Sequence, residues 1–162
     1  MKELLNKKKV EIIFIAGVHG VGKTHYCNSL KDNEIKSYSA SELIRKYKKI
    51  TEKMVKNIEE NQNILLKAIS YLQEEKIYLD GHFCLLNTKK EIVQIPMQIF
   101  KKLGIKEIFI LYSDVKSIAD RLKKRDEIEY SYSLINELQK SEIIYGKEVA
   151  RQLNVPLRFI KV

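Results

Sequence analysis

The sequence predicts an α/β domain built on a parallel sheet with helices on both faces. Three observations carry this reading. Short, β-branched apolar runs at 10–16, 77–80 (IYLD) and 108–112 (IFILY) have the character of strands buried on both faces. Between them lie segments with apolar residues at three- and four-residue spacing, and strands alternating with helices imply parallel pairing through crossover helices. The last observation is one of punctuation. With two prolines and no low-complexity tract in 162 residues, the chain offers no linker at which to divide it, so residues 1–162 are expected to form one domain.

Each element has its own signal. A glycine-rich stretch follows the first strand, and 23–30 has helical character. A weak strand at 35–38 leads into SASELIRKY, where Ser39 or Ser41 can cap a helix carrying Leu43 and Ile44. The longest helical pattern runs over 51–75, with Ile58, Leu65, Ile69 and Leu72 on one stripe. After the strand at 77–80, residues 81–95 read as a loop, and Pro96 opens a short helix that stops at Gly104. Asp114 caps a helix reaching to about 125, a last helix covers 133–153, and LRFIKV after Pro156 closes the chain as a strand.

Composition narrows the function classes. Hydrophobic residues at 44% and charged ones at 31% are ordinary for a soluble globular protein. The net charge of +9 is carried by lysines spread along the whole chain, without the aromatic-plus-basic module of a nucleic-acid binder. It therefore points to phosphorylated ligands, with nucleic acid as the less favoured partner. Cys27 and Cys84 form no CxxC, which excludes a disulfide framework or a zinc site and fits free thiols in a reducing cytosol. The start, MKELLNKKKV, is basic but lacks an apolar signal core, and no later run is long enough to span a bilayer. A cytoplasmic protein without a membrane partner is expected.

The stretch GVHGVGKTHYC carries the chemistry. Gly17 and Gly22-Lys23-Thr24 satisfy G-x-x-x-x-G-K-[ST] between a strand and a helix, the context that a phosphate-binding loop requires. Gly17, His19, Gly20, Val21, Gly22, Lys23, Thr24 and His25 thus form the expected nucleotide-binding segment. Loop amides and the helix start would wrap a polyphosphate, Lys23 would reach its β- and γ-phosphates, and the Thr24 hydroxyl would take one position on Mg²⁺. A carboxylate on the metal side is needed at the end of a neighbouring strand. Asp80, ending IYLD, suits that role, whereas Asp114 stands better as a helix cap.

At these residues the chain resembles the P-loop nucleoside monophosphate kinases, most of all the archaeal-type adenylate kinases and their relatives. The likeness rests on the glycine loop, on LDGH at 79–82 and on RLKKRD at 121–126. It implies a three-layer P-loop NTPase fold with a five-stranded parallel sheet in the order 2-3-1-4-5. It also implies Mg²⁺-ATP as donor and a nucleotide-like, small-molecule acceptor. Asp80 and His82 match the family's D-x-H, and Arg121 and Arg125 match the arginines of a lid at about 121–132 that hold the moving phosphoryl group. SASELIRK points to Arg45 for the acceptor phosphate, although Ala40, Ser41 and Glu42 replace the usual glycine and aspartate. His19 stands where those kinases have proline, and Ser141-Glu142 where they tend to show Asn-Arg.

Two polar residues fall on inward helix stripes and so need partners: Gln62, a candidate substrate contact, and Glu142, expected to pair with a lid arginine. His82 is placed to orient a water or an acceptor hydroxyl, and the loop 83–95 to read the acceptor. The expected activity is γ-phosphoryl transfer from Mg-ATP to a nucleotide or nucleoside-like acceptor. The alternatives are a kinase of a polynucleotide end, tRNA or small metabolite, and an ATPase that switches an RNA or protein partner.

Overall fold

The computed structural model describes residues 8–30, 34–51, 58–127 and 129–162. Strand β1 (Glu11–Ala16) leads through the glycine loop into α1 (Lys23–Ser29); β2 (Lys36–Ser39) and α2 (Ala40–Thr51) follow. Next come α3 (Ile58–Ser70), β3 (Lys76–Gly81), the short strands β4 (Cys84–Leu86) and β5 (Ile92–Gln94), and α4 (Met97–Lys102). The chain ends with β6 (Ile105–Tyr112), α5 (Val115–Asp126), α6 (Tyr132–Leu153) and β7 (Leu157–Lys161).

The main sheet is parallel, in the order β2-β3-β1-β6-β7. Its central strands are buried on both faces because their side chains alternate between two cores. Ile12 and Phe14 of β1, with Ile77, Leu79, Ile108 and Ile110, pack under α3, α4 and α6. Ile13 and Ile15, with Phe109 and Leu111, pack against α1 and α5. Phe83 and Phe100 fill the first core edge-on to Phe14, at centroid distances of 5.1 and 5.9 Å. Among the described residues no helix is long and apolar enough to cross a membrane.

The expected loop at 81–95 instead contains an antiparallel hairpin, β4 paired with β5 through Leu85↔Val93, so the last two strands of the sheet are the sixth and seventh of the chain. Asn87 explains the turn: its Oδ1 accepts from the amides of Lys89 and Glu91, both at 2.9 Å, a local side-chain turn that the periodicity of apolar residues does not register. The helix expected to 75 ends at Ser70, where the Tyr71 and Leu72 amides turn back onto the Ala68 and Ile69 carbonyls; its expected beginning includes 52–57, outside the described residues. Asp114 does cap α5, its Oδ1 accepting from the Ser117 amide at 3.0 Å.

Parallel registry gathers the chemistry at one edge. Asp80 lies opposite both Ile15 of β1 and Ser39 of β2, so the glycine loop, the end of β3 and the start of α2 converge beyond the carboxyl ends of the strands. That crevice is where open α/β sheets bind ligands.

Candidate active site

The loop after β1 needs backbone that only glycine adopts without strain. Gly20 has φ +85° and Gly22 φ +108°. A Cβ on Gly20 would also stand 2.8 Å from Leu122 Cγ, so the loop lies directly against α5 and any side chain there would push that helix away. Gly22 is the cap from which α1 begins, which aims the first amides of α1 at the cleft.

Lys23 is 7% exposed and folds back over the loop, donating to the Gly17 carbonyl at 2.8 Å and the Val18 carbonyl at 3.2 Å. Burial pulls its pKa down to about 8, against the upward pull of the Asp80 and Glu142 carboxylates. Burial likewise raises Asp80 above the ordinary carboxylate range, with the Lys23 charge opposing. His82 is held well below its usual pKa by burial and by the Lys23 charge, which keeps the imidazole neutral.

Arg121 donates through Nη1 to the Val21 carbonyl at 2.7 Å, and Arg125 hydrogen-bonds the His19 ring while its Nε lies 3.2 Å from Asp126 Oδ1. Burial and the Arg125 charge lower the His19 pKa, so His19 is a neutral acceptor for the guanidinium. Both arginines sit on the ordered helix α5, which includes 121–126 of the expected lid.

A cavity of about 410 Å³ joins these groups: His19, Gly20, Gly22, Lys23, Thr24 and His25 on one wall, Arg45, Asp80, His82, Arg121 and Arg125 on the others. Gly17 and Val21 do not line it. Gly17 packs against Leu111, and the Val21 side chain belongs to the core beside α5. Ser39, Ser41 and Glu42 join the lining, brought there by the turn from β2 into α2. Thr24 in the first turn of α1 and Asp80 at the end of β3 place two oxygen donors on the same cleft, a set that suits a hard divalent cation such as Mg²⁺.

A second cavity, of about 320 Å³, opens beside the first and shares Ser41, Arg45 and His82 with it. Its walls come from Phe14, Ile44, Leu65, Ile99 and Phe100, with Lys48, Asn61 and Gln62 as polar members. Gln62, 6% exposed, is thus brought to a cavity as its inward spacing predicts. The loop 83–95 supplies only Leu85 and Ile95. Asn61 and Lys48 join this wall beyond the residues the sequence points to; for Asn61 the adjacent amide pair in ENQN of α3 is the available signal.

Glu142 corrects a further expectation. It does not pair with a lid arginine. At 1% exposure its two oxygens accept from the consecutive amides of Phe83 and Cys84, each at 2.8 Å. The chain leaving Asp80 and His82 is therefore anchored to α6, and the carboxylate is consumed by that anchor. Burial raises its pKa to about 7, opposed by those amides and by Lys23.

Solved structures with this fold include a shikimate kinase of Acinetobacter baumannii in complex with shikimate (17% identity, 96% of this chain and 83% of that one, TM-score 0.56). Others are the tunicamycin resistance protein of Deinococcus radiodurans (17%, 91% and 97%, 0.51) and a gluconokinase of Sinorhizobium meliloti (14%, 96% and 85%, 0.50). The chain has the P-loop kinase fold that these share. No curated protein matches the sequence. Residues 16–139 match the family model described as an AAA domain, and the chain belongs to that family.

Proposed function

We propose that the protein is a Mg²⁺-ATP-dependent phosphotransferase with a small-molecule acceptor, nucleotide-like as the resemblance to adenylate kinases implies, working in the cytoplasm. The carrying observation is the adjacency of the two cavities, which meet at Ser41, Arg45 and His82. One is polar and floored by the glycine loop; the other is apolar. The two free cysteines fit a reducing compartment. Two fold neighbours bear the names shikimate kinase and gluconokinase, which fits a small-molecule acceptor.

In this reading the loop amides and the start of α1 hold the triphosphate. Lys23, protonated at neutral pH with a pKa of about 8, exchanges its loop carbonyls for β- and γ-phosphate oxygens. Thr24 and Asp80 would hold Mg²⁺, which when bound neutralises phosphate charge and fixes the geometry of the γ-phosphoryl group. Arg121 and Arg125, held over the loop by α5, counter charge on the equatorial oxygens. A deprotonated phosphate oxygen of the nucleotide-like acceptor, presented from the apolar cavity, attacks the γ-phosphorus in line. The bond to the β,γ-bridging oxygen breaks and its electron pair leaves on ADP. His82 sits at the junction as a neutral hydrogen-bonding group for the acceptor.

The test is transfer of label from [γ-³²P]ATP to a panel of nucleoside monophosphates and sugar acids. Labelled acceptor formed together with ADP is expected. ADP formation at one rate with or without every acceptor, and label only in inorganic phosphate, would overturn the kinase reading; stimulation by RNA or protein would instead indicate a switching ATPase.

A further inference from the structure

We propose that His19 is a positioning residue: its ring holds the Arg125 guanidinium against the glycine-loop cleft, so that Arg125 meets the γ-phosphoryl group already oriented. This rests on the phosphotransferase reading and gives a loop side chain a task that the phosphate-binding motif does not assign to it.

The first support is the different hold on the two arginines of α5. Arg121 donates to the Val21 carbonyl at 2.7 Å, so the loop backbone fixes it whatever side chains the loop carries. Arg125, among the described residues, is hydrogen-bonded by side chains alone: the His19 ring, and Asp126 Oδ1 at 3.2 Å from its Nε. Its side chain is 56% exposed and stands in the last turn of α5, where a long, unheld side chain samples many rotamers. Asp126 is its neighbour in the same helix and cannot tie it to the loop. Among the described residues, His19 makes that tie.

The second support is that His19 has a firm base. At the next residue, Gly20, the loop lies so close to α5 that a Cβ would stand 2.8 Å from Leu122 Cγ, which sets the distance the tie must span. His19 borders two spaces. One is the cleft, shared with Lys23, Thr24 and Arg125. The other is a small apolar cavity of about 50 Å³, shared with Leu122, Tyr130 and Leu134.

The third support is charge. Burial first, then the Arg125 and Lys23 cations, disfavour the imidazolium, against the pull of Asp126, whose Oδ2 lies 3.6 Å from His19 Nε2. The neutral ring offers Arg125 a lone pair and no charge. A carboxylate in its place would grip the guanidinium with a charge-assisted pair and compete with the phosphate that must take it. A neutral acceptor orients the guanidinium and yields it to a stronger, anionic ligand.

A double-mutant cycle in the full chain tests the proposal: wild type, His19→Leu, Arg125→Leu and the double variant, with Mg²⁺-ATP and the acceptor that the panel labels. His19→Leu should lower kcat about tenfold or more and leave KM for ATP within about twofold, because orientation in the transition state is what it loses. In the Arg125→Leu background the same change should cost nothing further, the sign of two residues acting as one unit. His19→Gln keeps an acceptor and should recover most of the rate. Should His19→Leu fail to fold by circular dichroism, His19→Ala takes its place in the cycle. Additive losses would overturn the proposal, as would equal losses in His19→Leu and His19→Gln, or a faster His19→Leu. ADP formed by wild type with no acceptor labelled would instead overturn the phosphotransferase reading, and the same cycle read on ADP release would still decide the role of His19.

Discussion

On the glycine-loop side of the cleft, a single run of chain, 19–25, supplies one continuous wall, and three cations around it are already engaged: Lys23 with two carbonyls, Arg121 with a third, Arg125 with His19. On the far side the wall is assembled from β1, α2, α3 and α4, and it is largely hydrocarbon, with Arg45, Lys48, Asn61 and Gln62 along one side. The first side uses the protein's own dipoles as a provisional ligand. The second is a gap in the core with little to hold it shut. A polyphosphate is always the same shape and charge, so its site can be pre-wired by a short motif. An acceptor has its own shape, and its site is made from whichever side chains the packing of helices leaves facing the sheet.

Breaking the apolar side at its base should give the largest effect. Phe100 is fully buried among Phe14, Phe83 and Tyr145, and Phe100→Ala should cost about 3–5 kcal/mol of stability, read from urea unfolding. Full stability in that variant would mean that the cavity wall is not part of the core. On the polar side, Lys23→Ala should leave the fold intact by circular dichroism and weaken ATP by about 1.5–3 kcal/mol, the scale of a hydrogen bond to a charged group. Equal calorimetric binding by mutant and wild type would remove Lys23 from the donor site.

Glu142 lines neither cavity but anchors the chain that leaves Asp80 and His82, and Glu142→Gln should break half of that anchor. One oxygen replaces two, so one of the Phe83 and Cys84 amides loses its acceptor, at a cost of about 1–3 kcal/mol. The pH dependence has a definite sign. A carboxyl whose pKa is raised on folding from 4.5 to about 7 binds more protons folded than unfolded across that window. Its contribution to stability is full below about 4.5 and is lost as pH rises through about 7. The Tm difference between wild type and Glu142→Gln should therefore shrink from pH 5 to pH 8; a constant or widening difference contradicts the assignment. The smallest effects on stability belong to the two aspartates at strand ends. Asp114→Ala should lower Tm modestly by uncapping α5 and leave turnover alone, whereas Asp80→Asn should bind ATP and turn it over poorly. The reverse pattern would exchange their roles.

The same contrast explains what could be read from the sequence. The placing of Lys23, Thr24 and Asp80 at one cleft was legible because the loop is contiguous and a strand end announces itself by a polar residue after an apolar run. The buried central strands were legible for the same reason. The hairpin β4–β5 was not, because three-residue strands carry too little periodicity and its turn depends on the Asn87 side chain. Glu142 was found as an inward polar residue, but its partners are backbone amides 58 and 59 residues away, which no spacing rule reaches. Asn61 carries no comparable signal, because its neighbour Gln62 lies more squarely on the apolar stripe, and only helix packing brings both to one cavity.

The two sides form one cleft across which a phosphoryl group passes, meeting at Ser41, Arg45 and His82. Steady-state transfer of label from [γ-³²P]ATP to the acceptor that the panel identifies, compared in wild type, Lys23→Ala and Arg45→Gln, checks this. Loss of ATP affinity in Lys23→Ala, and a raised acceptor KM with ATP affinity unchanged in Arg45→Gln, are the predicted results. Label appearing only in inorganic phosphate, or an acceptor KM untouched in Arg45→Gln, would contradict it.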